Sequence, residues 1–79
     1  MARYRRKRPK KLAAKLRDIR LQLGLTQESI AAKIGTDSGS ISRFETGKRE
    51  PSLLEMLAYS NLAGVTINEL VDDKVRLTR

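Results

Sequence analysis

The sequence predicts an all-α fold: a compact domain of five short helices with a flexible basic N-terminal arm. Three observations predict it. Apolar residues recur at helical spacing, beginning with Leu12, Leu16, Ile19 and Leu23 at i, i+4, i+7 and i+11. Four later stretches each open on a Thr, Asp or Ser suited to an N-cap, namely Thr26, Asp37, Ser52 and Thr66. Glycines follow where several of the stretches end, as Gly24, Gly35 and Gly47 do. A chain of 79 residues has room for one domain.

The elements follow in order. Residues 1–9 read as an arm that ends at Pro9, and residues 10–72 as the folded domain. The first helix runs from Lys10 along the face Leu12, Leu16, Ile19 and Leu23, and Gly24 suits a left-handed position just beyond it. Thr26 caps a second helix with Gln27 and Glu28 in its first turn; Ile30, Ala31 and Ile34 form its apolar stripe, and Gly35 stops it. The turn Gly35-Thr36-Asp37 leads into a third helix over 38–45, with Asp37 as its cap and Ile41 and Phe44 as its buried face. Its other face is small and polar: Ser38, Gly39, Ser42 and Arg43. Such a segment has poor helix propensity, so tertiary packing must hold it. Gly47 ends it, and residues 48–51 form a loop.

Ser52 with Glu55 makes a capping box for a fourth helix, 53–63, and Thr66 with Glu69 makes another for a short fifth helix, 67–72. Val65 and Leu70 are placed as a hydrophobic staple. The fourth helix is apolar nearly all round. Its surplus, Leu54, Ala58 and Leu62, reads either as a self-association stripe or as extra core contact with the arm or tail. Residues 73–79 read as a tail in which Val75 and Leu77 alternate as a short strand would.

Composition narrows the function. The chain has no Cys and no His, which removes disulfides, the thiolate and imidazole metal ligands, and the commonest general acid and base. No nucleophile–base pattern stands out among the remaining residues, so no catalytic residues, metal site or cofactor are expected and an enzyme is not expected. No apolar run approaches the roughly 18 residues of a membrane span, and charges interrupt the segment Leu12–Asp18 after the basic start, so the expected location is the cytoplasm, on the nucleoid. The net charge is +8, concentrated at one end: Arg3, Arg5, Arg6, Lys7, Arg8, Lys10 and Lys11 occur with no acid, and the rest is nearly balanced. Such an arm either binds a polyanion, nucleic acid being the usual partner, or serves only as a solubilising extension.

Two short helices joined by a tight glycine-containing turn, 26–34 and 38–45, describe a helix-turn-helix, although a generic helical hairpin shows much the same spacing. Beyond spacing, the runs Leu25–Gly35 (LTQESIAAKIG) and Ile41–Pro51 (ISRFETGKREP) resemble the phage repressor and Cro-like (Xre-type) helix-turn-helix family, with a likeness extending over about residues 12–71. The resemblance implies a repressor-like, sequence-specific double-stranded DNA-binding domain acting as a transcriptional regulator, with repression the expected mode. It also implies a homodimer on a two-fold operator, weak or DNA-induced here because no separate oligomerisation region is read. Carried over by position, it implies base contacts from Asp37, Ser38, Gly39, Ser42 and Arg43, and backbone contacts from Gln27, Thr46, Lys48 and Arg49. Ala31, Gly35 and Ile41 would set the angle between the two helices, and Glu45 would be structural, paired with a basic residue or a backbone donor.

The chain departs from the family pattern where Asp37, Ser38 and Gly39 stand. Gly39 has no side chain to read with, and Asp37 is repelled by phosphate unless it caps the helix or accepts from a cytosine amine. Arg43 is left as the best base reader, bidentate to guanine; its alternatives are a phosphate contact or an ion pair with Glu45 or another carboxylate. In the arm, Arg5, Arg6 and Arg8 are candidates for a narrow minor groove or for plain phosphate attraction. Two other readings stay open: an antitoxin-type autoregulator, and a protein- or RNA-interaction module that keeps the fold without reading DNA.

Overall fold

In the computed structural model, residues 9–77 are described, and they form five helices: α1 (Leu12–Gln22), α2 (Gln27–Ile34), α3 (Ser38–Glu45), α4 (Leu53–Ala63) and α5 (Ile67–Val71). The caps lie where the sequence puts them. Thr26 accepts from the backbone N–H of Ser29 at 3.0 Å and Asp37 from that of Ser40 at 2.7 Å. Ser52 with Glu55, and Thr66 with Glu69, form reciprocal boxes. Each such cap is worth about 1 kcal/mol. Gly35, at φ 91°, takes the left-handed conformation that ends α2 and turns the chain toward α3.

The core is one cluster. Leu12, Leu16 and Ile19 of α1 meet Ile30, Ala31 and Ile34 of α2, Ile41 and Phe44 of α3, Tyr59 of α4, and Val65 and Leu70 around α5. The α3 helix packs on both α1 and α2, so its low propensity is offset by burial of Ile41 and Phe44, which are almost completely enclosed.

Three expectations are corrected. Leu23 is not part of the buried stripe: it caps the end of α1 and is 42% exposed. The α5 helix ends at Val71, because Asp72 has turned to extended backbone. On α4, of the two readings of Leu54, Ala58 and Leu62, core contact holds for Ala58 and Leu62 and only Leu54 is open; the exposed leucines are Leu53, Leu54 and Leu57. Helical spacing was right, but the core lies on the side of α4 that carries Tyr59, which rotates the outward face. Val75 and Leu77 are both half-buried and alternate with exposed neighbours, but the segment is a tail without a strand among the described residues: the Val75 carbonyl accepts from Lys15 and Leu77 packs against the core.

The contact between the two ends of the domain has no apolar signature. Lys15 lies on the inner side of α1, and its Nζ donates to the carbonyls of Glu69 (2.6 Å), Asp72 (2.9 Å) and Val75 (2.7 Å). An ammonium so placed fills the role of a C-cap for α5, satisfying carbonyls that a five-residue helix leaves open. Asp73 completes the tie by accepting from the backbone N–H groups of Lys10 (2.9 Å) and Lys11 (3.0 Å) at the start of α1. These two donors, led by Lys10, hold the Asp73 carboxyl below the usual carboxylate range.

Replacing Lys15 with Met keeps the stem and removes the three donors; a loss of about 3 kcal/mol is expected in urea unfolding. The Asp73 pKa is lowered on folding, so its contribution is complete above the ordinary carboxylate value of about 3.9 and is lost as the pH falls through the native value. Asp73→Asn should therefore be less stable than the parent at neutral pH, and the gap between their urea midpoints should close as the pH is lowered toward about 2.

Candidate nucleic-acid interface

Once Ser40, Ile41 and Phe44 are buried, α3 has a fixed outer face. Gly39 and Arg43 are exposed on it, with Ser38 and Ser42 half-buried. Asp37 stands at its head. Its carboxyl is held below the usual range, first by the Ser40 backbone N–H, then by the Ser40 hydroxyl, with the charges of Arg43 and Arg49 adding to the effect. The outer face is thus small, polar and basic beyond its capping residue, and the sequence-predicted group Asp37, Ser38, Gly39, Ser42 and Arg43 comes together on one turn and a half of helix.

The inner end of α3 is fixed by Glu45. Arg20 of α1 donates to both its oxygens, from Nε to Oε2 at 2.7 Å and from Nη2 to Oε1 at 3.0 Å. The amide of Gln27, at the start of α2, donates to Oε1 at 3.3 Å. The remaining donor of Arg20, Nη1, reaches the Leu25 carbonyl at 3.0 Å. One carboxylate therefore joins α1, α2 and α3, with only 4% of its side chain exposed and 14% of its arginine partner's. The hydrogen bond to Glu45 raises the Arg20 pKa further. Glu45 was expected to pair with a base, and Arg20 is that base. The sequence offered no means of choosing Arg20 among 17 basic residues. Because Glu45 faces Arg20, Arg43 is left on the outside.

The other candidates separate. Gln27 is half-buried and bound to Glu45, at the N-terminal end of α2. The Thr46 hydroxyl donates to the Ser42 carbonyl at 3.0 Å, closing the end of α3. Arg49 turns back on the protein: its Nη1 donates to the Ser40 hydroxyl at 3.3 Å, and its guanidinium stands 5.7 Å from the centre of the Phe44 ring. Lys48 is exposed in the loop, where its backbone N–H donates to the Arg43 carbonyl at 2.9 Å. Arg5, Arg6 and Arg8 lie outside the described residues. The chain that follows them does reach this surface: Pro9 and Lys10 line an open cavity of about 250 Å³ with Phe44, Gly47 and Arg49. Among the described residues no group of three His, Cys, Asp or Glu side chains is placed to hold a metal, and no helix is long and apolar enough to cross a membrane.

The helix-turn-helix family matches residues 16–70 of the chain. The cryptic phage CTXphi transcriptional repressor RstR of Vibrio cholerae is 34% identical over 61 residues, which cover 77% of this chain and 55% of RstR, so the chain spans about half the length of that relative. The restriction-modification controller protein C.AhdI from Aeromonas hydrophila superposes with a TM-score of 0.68 at 32% identity, covering 76% of this chain and 87% of C.AhdI. The P22 c2 repressor protein, in a crystal structure with a synthetic operator, shares the fold with a TM-score of 0.74 at 22% identity, covering 78% and 94% of the two chains.

Glu45→Ala removes the shared acceptor and leaves Arg20 enclosed without its counter-charge, with only the Leu25 carbonyl still accepting from it. A loss of about 3 kcal/mol is expected in denaturant unfolding, whereas replacing both partners together, Arg20→Met with Glu45→Leu, should recover most of it.

Proposed function

The chain belongs to the helix-turn-helix family of phage repressor and Cro-like (Xre-type) proteins, and on that premise we propose that it is a sequence-specific double-stranded DNA-binding regulator of transcription that acts as a repressor. The observation that carries this reading is the exposed outer face of α3, small and polar with one cation, Arg43, held in place from behind by Arg20, Glu45 and Gln27. A major groove about 12 Å wide admits such a helix. Small residues at Ser38, Gly39 and Ser42 let its backbone come close, and Arg43 is the side chain long enough to grip guanine O6 and N7.

Phosphate contacts fall to Lys48 and to Gln27 with the N-terminal end of α2, where unpaired backbone N–H groups favour an anion. Thr46 and Arg49 are weaker anchors, since each has a donor engaged within the protein. Arg5, Arg6 and Arg8 add attraction from the arm, whose root lies beside the loop after α3. The exposed leucines of α4, Leu53, Leu54 and Leu57, supply the contact for a second copy on a two-fold operator. A dimer so bound over a promoter represses by occupancy, in the cytoplasm, with no catalytic step. The likeness to RstR supports repression. The likeness to C.AhdI favours a second reading, a controller of a restriction-modification system, which uses the same surface.

Selection of binding sites from random duplex DNA at about 150 mM salt tests the proposal. A short two-fold site with half-sites about one helical turn apart is the expected result; salt-sensitive binding without enrichment would overturn it. Within the selected site, Arg43→Ala should relax preference at one base pair, worth about 1–3 kcal/mol. Lys48→Ala should instead weaken every duplex alike and lower the slope of log K against log salt by roughly 1.

A further inference from the structure

Gly39 sits in the first turn of α3, and its backbone conformation does not call for glycine: the four glycines with positive φ are Gly24, Gly35, Gly47 and Gly64. Glycine within a helix is unfavourable, so the space at position 39 needs another explanation. A β-carbon there would stand 3.3 Å from Asp37 Oδ1, 3.5 Å from Arg43 Nη1 and 3.9 Å from Arg43 Nη2. The carboxylate and the guanidinium therefore converge on the volume that any side chain at 39 would occupy. The carboxylate cannot retreat easily, because Oδ1 is held by the Ser40 N–H at 2.7 Å.

Asp37 is also more than its capping role requires. Ser or Asn caps a helix equally well, and a negative charge next to phosphate opposes binding. Of the two guanidiniums near it, Arg43 is the one that faces it across the empty position of Gly39. Arg49, the other nearby guanidinium, is already engaged with the Ser40 hydroxyl and the Phe44 ring.

The geometry points to Asp37 and the bare Cα of Gly39 as a positioning slot that holds the Arg43 guanidinium along the first turn of α3, so that Asp37 sharpens discrimination at a base pair it does not touch. This rests on Arg43 being the base reader. A long side chain restrained before binding loses less freedom when it binds, and the gain goes only to the base that matches the restrained geometry. The negative charge weakens attraction to all DNA equally, so Asp37 gives up general affinity for selectivity.

The test uses Asp37→Asn in the full chain, with thermal unfolding to show that the cap and fold survive. Binding is measured on the selected duplex, on duplexes with the Arg43-dependent base pair replaced, and on an unrelated duplex. Discrimination at that pair should fall roughly three- to tenfold, while binding to the unrelated duplex strengthens. In an Arg43→Ala background Asp37→Asn should change no base preference. If Arg43→Ala abolishes the preference but Asp37→Asn leaves it intact, the slot is wrong and the reading of Arg43 stands. A loss that persists in the Arg43→Ala background would show Asp37 reading a base itself, which also overturns the slot. If Arg43→Ala keeps the preference, the assignment of Arg43 as reader fails and the slot fails with it.

Discussion

Glu45 is placed at the inner end of α3 with almost no exposed surface, and three donors from two other helices meet it there. The rest of the site depends on that junction. Bringing a carboxylate and a guanidinium out of water offsets most of what their attraction gains, so the junction contributes little net stability over a well-packed apolar substitute. What it contributes is geometry. A planar, bidentate pair tolerates small displacements poorly. With the apolar contacts of Ile41 and Phe44, it sets where α3 lies and which way its outer face points.

The recognition segment is otherwise weak. Eight residues, with Ser38, Gly39, Ser40 and Ser42 among them, would not form a helix alone. Four devices hold it: the Asp37 cap, burial of Ile41 and Phe44, the Glu45 junction, and Thr46 closing the last turn. Arg49 adds a strap from the following loop onto Ser40 and Phe44. Apart from the Asp37 cap, none of these uses the outward positions. The outward side chains of α3 are therefore distinct from those that keep the helix in place, apart from Asp37, which belongs to both sets.

The opposite end of the domain is closed by charge as well. Lys15 gathers the carbonyls of Glu69, Asp72 and Val75, and Asp73 gathers the N–H groups of Lys10 and Lys11. Together they bind the segment after α5 to the start of α1, and Leu77 packs against the core from there. Lys10 and Lys11 are thus held in place at the start of α1. Pro9 and Lys10 border the loop after α3, where they line one cavity with Gly47 and Arg49.

What the sequence determined by itself is the local part. Periodic apolar residues, the caps Thr26, Asp37, Ser52 and Thr66, and the stop at Gly35 fixed the number, order and near limits of the helices, because each signal acts within one or two turns. The runs Leu25–Gly35 and Ile41–Pro51 identified which pair of helices forms the motif. Tertiary structure decided what lies between elements. Which of 17 basic residues meets Glu45, why Lys15 is buried and which leucines of α4 stay in water are settled by helix rotation and by contacts across many residues, and no period in the chain encodes them. The convergence of Asp37 and Arg43 on the empty position of Gly39 is of the same kind. The sequence shows a glycine, and only the folded helix shows that the space it leaves is used.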